Sequence, residues 1–152
     1  MWDAAQAAMV SVDPEFASKY TSCAFTHCFE GSPHIDKQNL GPFYGIALGD
    51  FPDGTGGIRV ECSARVVAEV NTKNRLGKVD GRNPHWVAPY DRENYERFSV
   101  IYYITKGEPA SIGPAIFSLP TVAGVGAAGG ASGGAAAGTS TSSGTGTVGA
   151  GT

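Results

Sequence analysis

The feature that most limits the fold of this chain is a succession of short apolar segments separated by glycine, proline and asparagine turns. The clearest segment, Phe98 to Thr105, consists largely of β-branched and aromatic residues, which favour strands. The other strand candidates are Tyr20 to Phe29, Phe43 to Leu48, Ile58 to Glu61, Arg65 to Val70, Leu76 to Val79 and Trp86 to Ala88. Short strands interrupted this often predict an all-β sandwich or barrel.

Helix is predicted only near the N-terminus. Residues Trp2 to Val10 are rich in alanine. Asp13 followed by Pro14 is typical of a helix start, because aspartate caps exposed amides and proline suits the first turn. We expect this helix to end at about Tyr20, so that residues 1–20 form a helical stub and residues 21–118 form the β core.

The C-terminal segment has a different composition. From Leu119 to Thr152 the chain is almost entirely Gly, Ala, Ser and Thr, and all 11 basic and 14 acidic residues precede it. Such a segment buries little apolar surface to offset the entropy lost on ordering. We therefore predict a disordered tail over residues 119–152.

Charge gives a weak indication about partners. The formal net charge is -3, so bulk electrostatics do not favour nucleic-acid binding. One local basic run consists of Lys73, Arg75, Lys78 and Arg82. It is typical either of a solvated edge or of a surface that binds an anionic partner such as nucleic acid, and both interpretations stay open.

Cysteine content and the N-terminus bear on the compartment. The chain has three cysteines, Cys23, Cys28 and Cys62. This odd and low number suits a reducing environment. The N-terminus lacks the basic start and apolar run of a signal peptide, and no stretch reaches the about 18 apolar residues of a membrane span. We expect an intracellular protein, cytoplasmic or nuclear, that is not embedded in a membrane.

The motif Pro33-His34-Ile35-Asp36 is the first element that carries chemistry. In extended backbone, side chains at i and i+2 point the same way. His34 and Asp36 can therefore bind one metal ion together. A loop histidine beside a turn-forming aspartate is the other interpretation of the same residues.

Two further segments can complete a site. His85 lies between Pro84 and Trp86, and two histidines with one carboxylate on one face of an ion form the facial triad of non-haem iron oxygenases. Arg97 and Ser99 point to one side of the last strand, where they can bind a carboxylate. Taken singly, His85 can instead be a packed histidine and Arg97 an exposed residue at a strand start.

The order His-x-Asp, distal His and Arg-x-Ser resembles the Fe(II)/2-oxoglutarate-dependent oxygenase superfamily. The segments HIDKQNLGPFYGIALGDF, KVDGRNPHWVAPY and ERFSVIYY are similar to its branch of algal, phage and thymine- or methylcytosine-hydroxylase-like members. The resemblance extends from about Cys23 to Thr105.

This resemblance implies an oxidoreductase with a double-stranded β-helix, or jelly roll. His34, Asp36 and His85 would hold Fe(II), and Arg97 with Ser99 would bind the far carboxylate of 2-oxoglutarate. The implied reaction uses O2 and 2-oxoglutarate to hydroxylate a C–H bond of an unidentified substrate, with release of succinate and CO2.

The chain also departs from that pattern. The sequence contains about seven strand candidates, whereas a jelly roll has eight strands. The interval from Asp36 to His85 is short, and the supporting helices are reduced. These departures favour a second interpretation, in which the chain is a catalytically inactive β-helix fragment that serves as a binding or structural module of a longer protein.

Several other residues allow more than one role. Asn39 suits a turn, a substrate contact or support of the metal ligands, and Asp80-Gly81 suits a turn that directs His85. Tyr44 and Tyr103 suit either the core or a pocket wall. A zinc site from His27, Cys23 and Cys28 lacks a fourth ligand, and a nucleophile–base pair of Cys28 and His85 lacks a local signature.

Overall fold

The computed structural model describes residues 2–118, which form two antiparallel sheets and a short N-terminal helical segment. The helices are α1 (Trp2–Val12) and α2 (Pro14–Ala17). The strands are β1 (Ser22–His27), β2 (Phe43–Gly49), β3 (Ile58–Ser63), β4 (Val66–Val70), β5 (Gly77–Val79), β6 (His85–Val87) and β7 (Arg97–Tyr103). No helix within residues 2–118 has the length and apolar character needed to cross a bilayer. The predicted tail, residues 119–152, lies outside the described residues.

The predicted elements agree closely with these bounds. All seven predicted strands are present, each with its ends displaced by two residues at most. The prediction that the second helix reaches Tyr20 is wrong, because α2 ends at Ala17. The reason is that the chain joins the sheet at once: the Thr21 amide already donates to the Tyr103 carbonyl at 3.0 Å.

The larger sheet has the strand order β1-β7-β2-β5, and the smaller sheet has the order β4-β3-β6. Strand β7 is central, since it pairs with β1 on one side and with β2 on the other. Both edges of β7 are therefore hydrogen-bonded, and the β-branched and aromatic residues of this strand suit that position. The two polar residues that interrupt its start are Arg97 and Ser99.

A short extended segment around His34 lies along the free edge of β6. His34 and His85 exchange both backbone hydrogen bonds, at 3.1 and 2.9 Å, which is the pattern of an antiparallel pair. Pairing in the described chain is therefore nested. Strand β1 pairs with β7, the His34 segment with β6, β2 with β5, and β3 with β4.

Most of the buried apolar side chains belong to two clusters. One cluster contains side chains from both sheets: Phe43, Ile58, Val60, Val79 and Ala115. The other joins the helical segment to the outer face of the larger sheet: Ala5, Met9, Phe16, Ala17, Tyr20, Tyr44, Leu76 and Tyr102. Neighbouring residues of β2 enter different clusters because side chains alternate across a strand. Tyr44 is thus a core residue under the helices.

Asp13 anchors the helical segment to the larger sheet. Its carboxylate accepts hydrogen bonds from the Phe16 amide at 2.9 Å, the Tyr44 hydroxyl at 2.7 Å and Lys78 Nζ at 3.2 Å. Burial opposes ionisation, but these hydrogen bonds outweigh it and lower the pKa of Asp13. Burial and the bond to Asp13 raise the pKa of Tyr44. The helical stub is therefore held by a polar network as well as by apolar packing.

The local basic run is engaged within the chain. Lys73 donates to the Phe51 carbonyl, Arg75 pairs with Asp53, Lys78 with Asp13 and Arg82 with Asp80. Arg75 and Asp53 form an exposed pair, as a solvated edge predicts, whereas the ion pairs of Lys78 and Arg82 are largely buried. An anionic partner for this run stays a prediction.

Candidate metal centre and its cavity

A cavity of about 540 Å³ opens between the two sheets. Its lining includes every residue that the sequence predicted for the metal and carboxylate sites: His34, Asp36, His85, Arg97 and Ser99. The residues come from three separate parts of the fold, namely the extended segment beside β6, β6 itself and the central strand β7. Tyr103 also lines the cavity, which resolves its position in favour of a pocket wall.

The three predicted metal ligands face one another. Asp36 Oδ1 lies 3.5 Å from His34 Nε2, and Asp36 Oδ2 lies 3.6 Å from His85 Nε2. All three residues offer a ligand atom within 4.8 Å of the others. The backbone causes this approach, because His34 is paired with His85 and the Asp36 amide donates to the Gly81 carbonyl at 2.9 Å. The triad is thus held by strand pairing on both sides of the motif.

Both imidazole rings are oriented by backbone carbonyls. Nδ1 of His34 lies 2.7 Å from the Ser32 carbonyl, and Nδ1 of His85 lies 3.1 Å from the Asn83 carbonyl. A carbonyl only accepts hydrogen bonds, so we assign the proton to Nδ1 and the lone pair to Nε2. Burial lowers the pKa of His85, opposed by its bond to Asn83 and by the charge of Asp36. A neutral imidazole with Nε2 free is the form that binds a metal.

Asn39 and Gly81 support the carboxylate of Asp36. Asn39 is only 8% exposed, and its side-chain amide donates to Asp36 Oδ2 at 2.9 Å. Its backbone amide also bonds to the Asp36 carbonyl at 3.4 Å, so Asn39 belongs both to a turn and to the support of a candidate ligand. At Gly81 a Cβ atom would lie 2.8 Å from Asp36 Oδ2 and 2.9 Å from the Phe43 ring. A side chain at this position would therefore displace the Asp36 carboxylate or the buried Phe43 ring.

The turn before β6 is fixed by a buried ion pair. Asp80 is fully buried and accepts hydrogen bonds from Arg82 Nε at 2.8 Å and Nη2 at 2.6 Å. Burial opposes the charge on Asp80, but the Arg82 contacts outweigh it and lower the pKa of Asp80. The same guanidinium donates to the carbonyls of Ala110 and Ser111. The turn predicted at Asp80-Gly81 is confirmed, and it directs the chain into His85.

Arg97 is buried at the far end of the cavity, with only 2% of its surface exposed. Its Nε donates to the Gly56 carbonyl at 2.9 Å, and its Nη1 donates to Ser99 Oγ at 2.6 Å. The rings of Phe51 and Tyr90 lie 5.7 and 5.6 Å from its Cζ atom, within the range of cation–π attraction. The interpretation of Arg97 as an exposed residue at a strand start is therefore wrong.

This guanidinium has no carboxylate partner within residues 2–118. The ion pairs in that part of the chain involve other basic side chains. Burial lowers the pKa of Arg97, and the neighbouring Tyr90 and Cys28 oppose that shift. A buried, unpaired charge is costly, so the position favours an anionic ligand that enters through the cavity.

The mouth of the cavity contains residues that sequence reasoning did not single out. Phe29 and Ile35 are 48% and 50% exposed, and both line the cavity beside His34. Lys37 and Gln38 add polar groups to the same wall. The available signal was two apolar residues, one before the motif and one within it, in a segment that is not otherwise apolar. Such residues suit contact with a substrate near the metal ligands.

No family model matches the chain, and no curated protein matches it. The functional assignment is therefore argued from the residues of the cavity alone.

Proposed function

We propose that the chain is an Fe(II)- and 2-oxoglutarate-dependent dioxygenase that hydroxylates a C–H bond of an unidentified substrate and releases succinate and CO2. One observation carries this proposal. A single cavity contains a set of two histidines and one carboxylate, together with a buried arginine that lacks a carboxylate partner among the described residues. The first group suits a divalent metal ion, and the second suits the far end of a dicarboxylate.

The donor set of His34, Asp36 and His85 fits Fe(II). Neutral imidazoles and a carboxylate on one face of an ion leave the remaining positions open to other ligands. Ligand atoms about 2.1 Å from a first-row ion and at right angles to each other lie about 3 Å apart. Asp36 lies 3.5 and 3.6 Å from the two imidazole nitrogens, so these two separations need only a small contraction. A closed structural zinc site would need four protein ligands, whereas this group contains three.

Arg97 and Ser99 fit the second carboxylate of 2-oxoglutarate. Because Ser99 Oγ accepts a hydrogen bond from Arg97, its own proton is free to be donated elsewhere. The guanidinium and the hydroxyl can therefore donate to one carboxylate together. Charge-assisted bonds of this kind are the strong ones in proteins, and they also fix the orientation of the ligand.

When bound, Fe(II) and 2-oxoglutarate would together activate O2, the oxidant that hydroxylation of an unactivated C–H bond requires. The residues of the chain hold, orient and shield the reactants. Asn39 and the carbonyls of Ser32 and Asn83 fix the ligand side chains. The Phe43 ring lies 5.4 Å from the ring of His85 and closes that side of the site to water.

The strand pairing supports the double-stranded β-helix. A jelly roll contains eight strands in two sheets, and the His34 segment supplies an eighth extended element beside the seven strands of residues 2–118. Nested pairing, from β1 with β7 inward to β3 with β4, is what an antiparallel ribbon adopts when it folds over on itself. In that arrangement the segment carrying His34 and Asp36 necessarily lies beside β6, which carries His85.

Anaerobic titration of the full chain with Fe(II), in the presence and absence of 2-oxoglutarate, tests the proposal. We expect a weak visible charge-transfer band that requires both additions. His85→Ala should abolish the band, whereas Arg97→Ala should raise the 2-oxoglutarate concentration needed for it and leave Fe(II) binding intact. His27→Ala, which changes an exposed histidine outside the cavity, is the matched control and should retain the band.

Succinate release then tests turnover. Aerobic incubation of the wild-type protein should produce succinate from 2-oxoglutarate in an iron-dependent manner, and His85→Ala should not. A folded protein that gives neither the band nor succinate would contradict the enzyme assignment. That outcome would favour the alternative, a catalytically inactive module of a longer protein.

A further inference from the structure

A second group of metal-binding side chains lies where β1 ends and β7 begins. His27 is the last residue of β1, Cys28 follows it, and Glu96 precedes the first residue of β7. Each offers a ligand atom within 4.8 Å of the other two. The zinc site considered from the sequence grouped Cys23 with His27 and Cys28, but Cys23 packs against the helical cluster instead. The acidic ligand comes from a distant part of the sequence that antiparallel pairing of β1 and β7 brings alongside.

We propose that His27, Cys28 and Glu96 bind one Zn²⁺ ion, with solvent in the fourth position. Imidazole, thiolate and carboxylate are the ligands that Zn²⁺ takes in proteins. Tetrahedral zinc with ordinary bond lengths separates a sulfur and an oxygen ligand by about 3.6 Å. Cys28 Sγ lies 3.8 Å from Glu96 Oε2, and the same Oε2 atom contacts Nε2 of His27. The separation of the sulfur and oxygen atoms is therefore already close to that of a zinc site.

The backbone directs these side chains toward one another. Cys28 adopts a φ of +47°, a left-handed conformation that a non-glycine residue rarely takes. Its amide donates to the Arg97 carbonyl at 2.7 Å, which holds the residue against the start of β7 and places its thiol beside Glu96. The His27 ring stacks on Phe98 with a centroid separation of 4.6 Å. Two of the three ligands are thus oriented by contacts independent of the cluster itself.

An exposed ion pair between His27 and Glu96 does not account for the whole arrangement. The side chains of this pair are 55% and 60% exposed, and pairs in such positions contribute little to stability. Such a pair requires neither a thiol beside it nor a left-handed residue after the strand. The same exposure leaves the ligand atoms open to an ion and to water, as a site with a solvent ligand needs.

The site is distinct in chemistry from the triad in the cavity. The triad offers nitrogen and oxygen atoms only, whereas the second cluster includes a sulfur atom, which favours zinc over iron(II). The two sets share no residue. The zinc proposal therefore stands or falls independently of the proposed dioxygenase activity.

Cobalt(II) is the probe that distinguishes the two sites, because it replaces zinc and reports sulfur ligation by absorption. The full chain, reduced and free of metal, would be titrated with Co²⁺. We expect a near-ultraviolet thiolate-to-cobalt charge-transfer band together with the intense visible bands of tetrahedral cobalt. One equivalent of Zn²⁺ should remove them. The triad, which has no sulfur, cannot produce the charge-transfer band.

Matched cysteine variants decide the assignment. Cys28→Ser should lose the charge-transfer band, and Cys62→Ser, which changes an exposed cysteine outside the cluster, should keep it. Glu96→Gln retains the thiol and should require more Co²⁺ for the same absorbance. This second variant tests the site even if circular dichroism shows that Cys28→Ser is unfolded. A folded wild-type protein without the band, a band that survives in Cys28→Ser, or unaltered affinity in Glu96→Gln would overturn the proposal.

Discussion

Replacing Arg97 by methionine removes the buried guanidinium but keeps an unbranched side chain between Phe51 and Tyr90. If Arg97 binds the far carboxylate of 2-oxoglutarate, the substitution removes at least two charge-assisted hydrogen bonds from the complex. Each contributes about 1.5–3 kcal/mol, so the loss is about 3 kcal/mol or more. At about 1.4 kcal/mol per tenfold change, the dissociation constant should rise by roughly 150-fold.

The lower affinity for 2-oxoglutarate should reduce the rise in melting temperature that this ligand causes. A ligand at about 100 times its dissociation constant stabilises the folded state by about 2.7 kcal/mol. The unfolding entropy of a domain of about 117 residues is roughly 0.25 kcal/mol per kelvin near its melting temperature. Dividing the stabilisation by this entropy gives a rise in melting temperature of about 11 °C with 2-oxoglutarate at that concentration. At the same concentration the variant would be stabilised by only about 0.3 kcal/mol, or about 1 °C.

The assay is thermal unfolding of the full chain, monitored by circular dichroism under anaerobic conditions with Fe(II). Arg59→Met is the matched control, because Arg59 pairs with Glu69 at the surface and does not line the cavity. Its shift with 2-oxoglutarate should equal that of the wild type. A shift of wild-type size in Arg97→Met would refute the reasoning, since the dicarboxylate would then bind without the guanidinium.

Three further predictions concern the supporting residues. Tyr44→Phe should lower the free energy of unfolding by about 1.5–3 kcal/mol at neutral pH in urea titrations, because it removes a hydrogen bond to a charged carboxylate. Folding lowers the pKa of Asp13, so this contribution is complete above its ordinary value of 3.8 and is lost as pH falls through the lower folded value. The deficit should therefore shrink in acid, and a deficit independent of pH would contradict the assignment. Asn39→Ala should weaken metal binding about 10–100-fold in calorimetric titrations, because Asp36 loses its orienting donor, and unchanged affinity would exclude that role. Gly81→Ala places a Cβ atom 2.8 Å from Asp36 Oδ2 and should lower both metal affinity and melting temperature, and a variant that matches the wild type in both would show that the turn can move.

The local features of the fold were predictable because they follow from short-range periodicity. Strand β7 was recognisable from its β-branched and aromatic residues, and the alternation that places Arg97 and Ser99 on one side of it follows from strand geometry. The capping role of Asp13 likewise depends on its own neighbours, and its side chain accepts the predicted bond from Phe16. The intracellular location inferred from the cysteines stays a prediction.

The support of the site was not predictable from local pattern. The His34 segment is too short and polar to be recognised as an extended element, and it exists as one through two backbone hydrogen bonds to His85. The sequence left Asn39 open to a turn, a substrate contact or support of the metal ligands, and its amide bond to Asp36 depends on the tertiary structure. Arg97 resembled a surface arginine because nothing in its neighbourhood reveals that Phe51 and Tyr90 cover it.

The chemical groups of the chain, and the side of each strand on which they lie, follow from the order of the amino acids. Which of these groups meet depends on tertiary folding: His85 meets the His34 motif, Glu96 meets Cys28, and no carboxylate of residues 2–118 meets Arg97. The physical reason is the range of the forces involved. Side-chain alternation is a property of a few consecutive residues, whereas strand pairing is selected by burial of apolar surface across the whole domain.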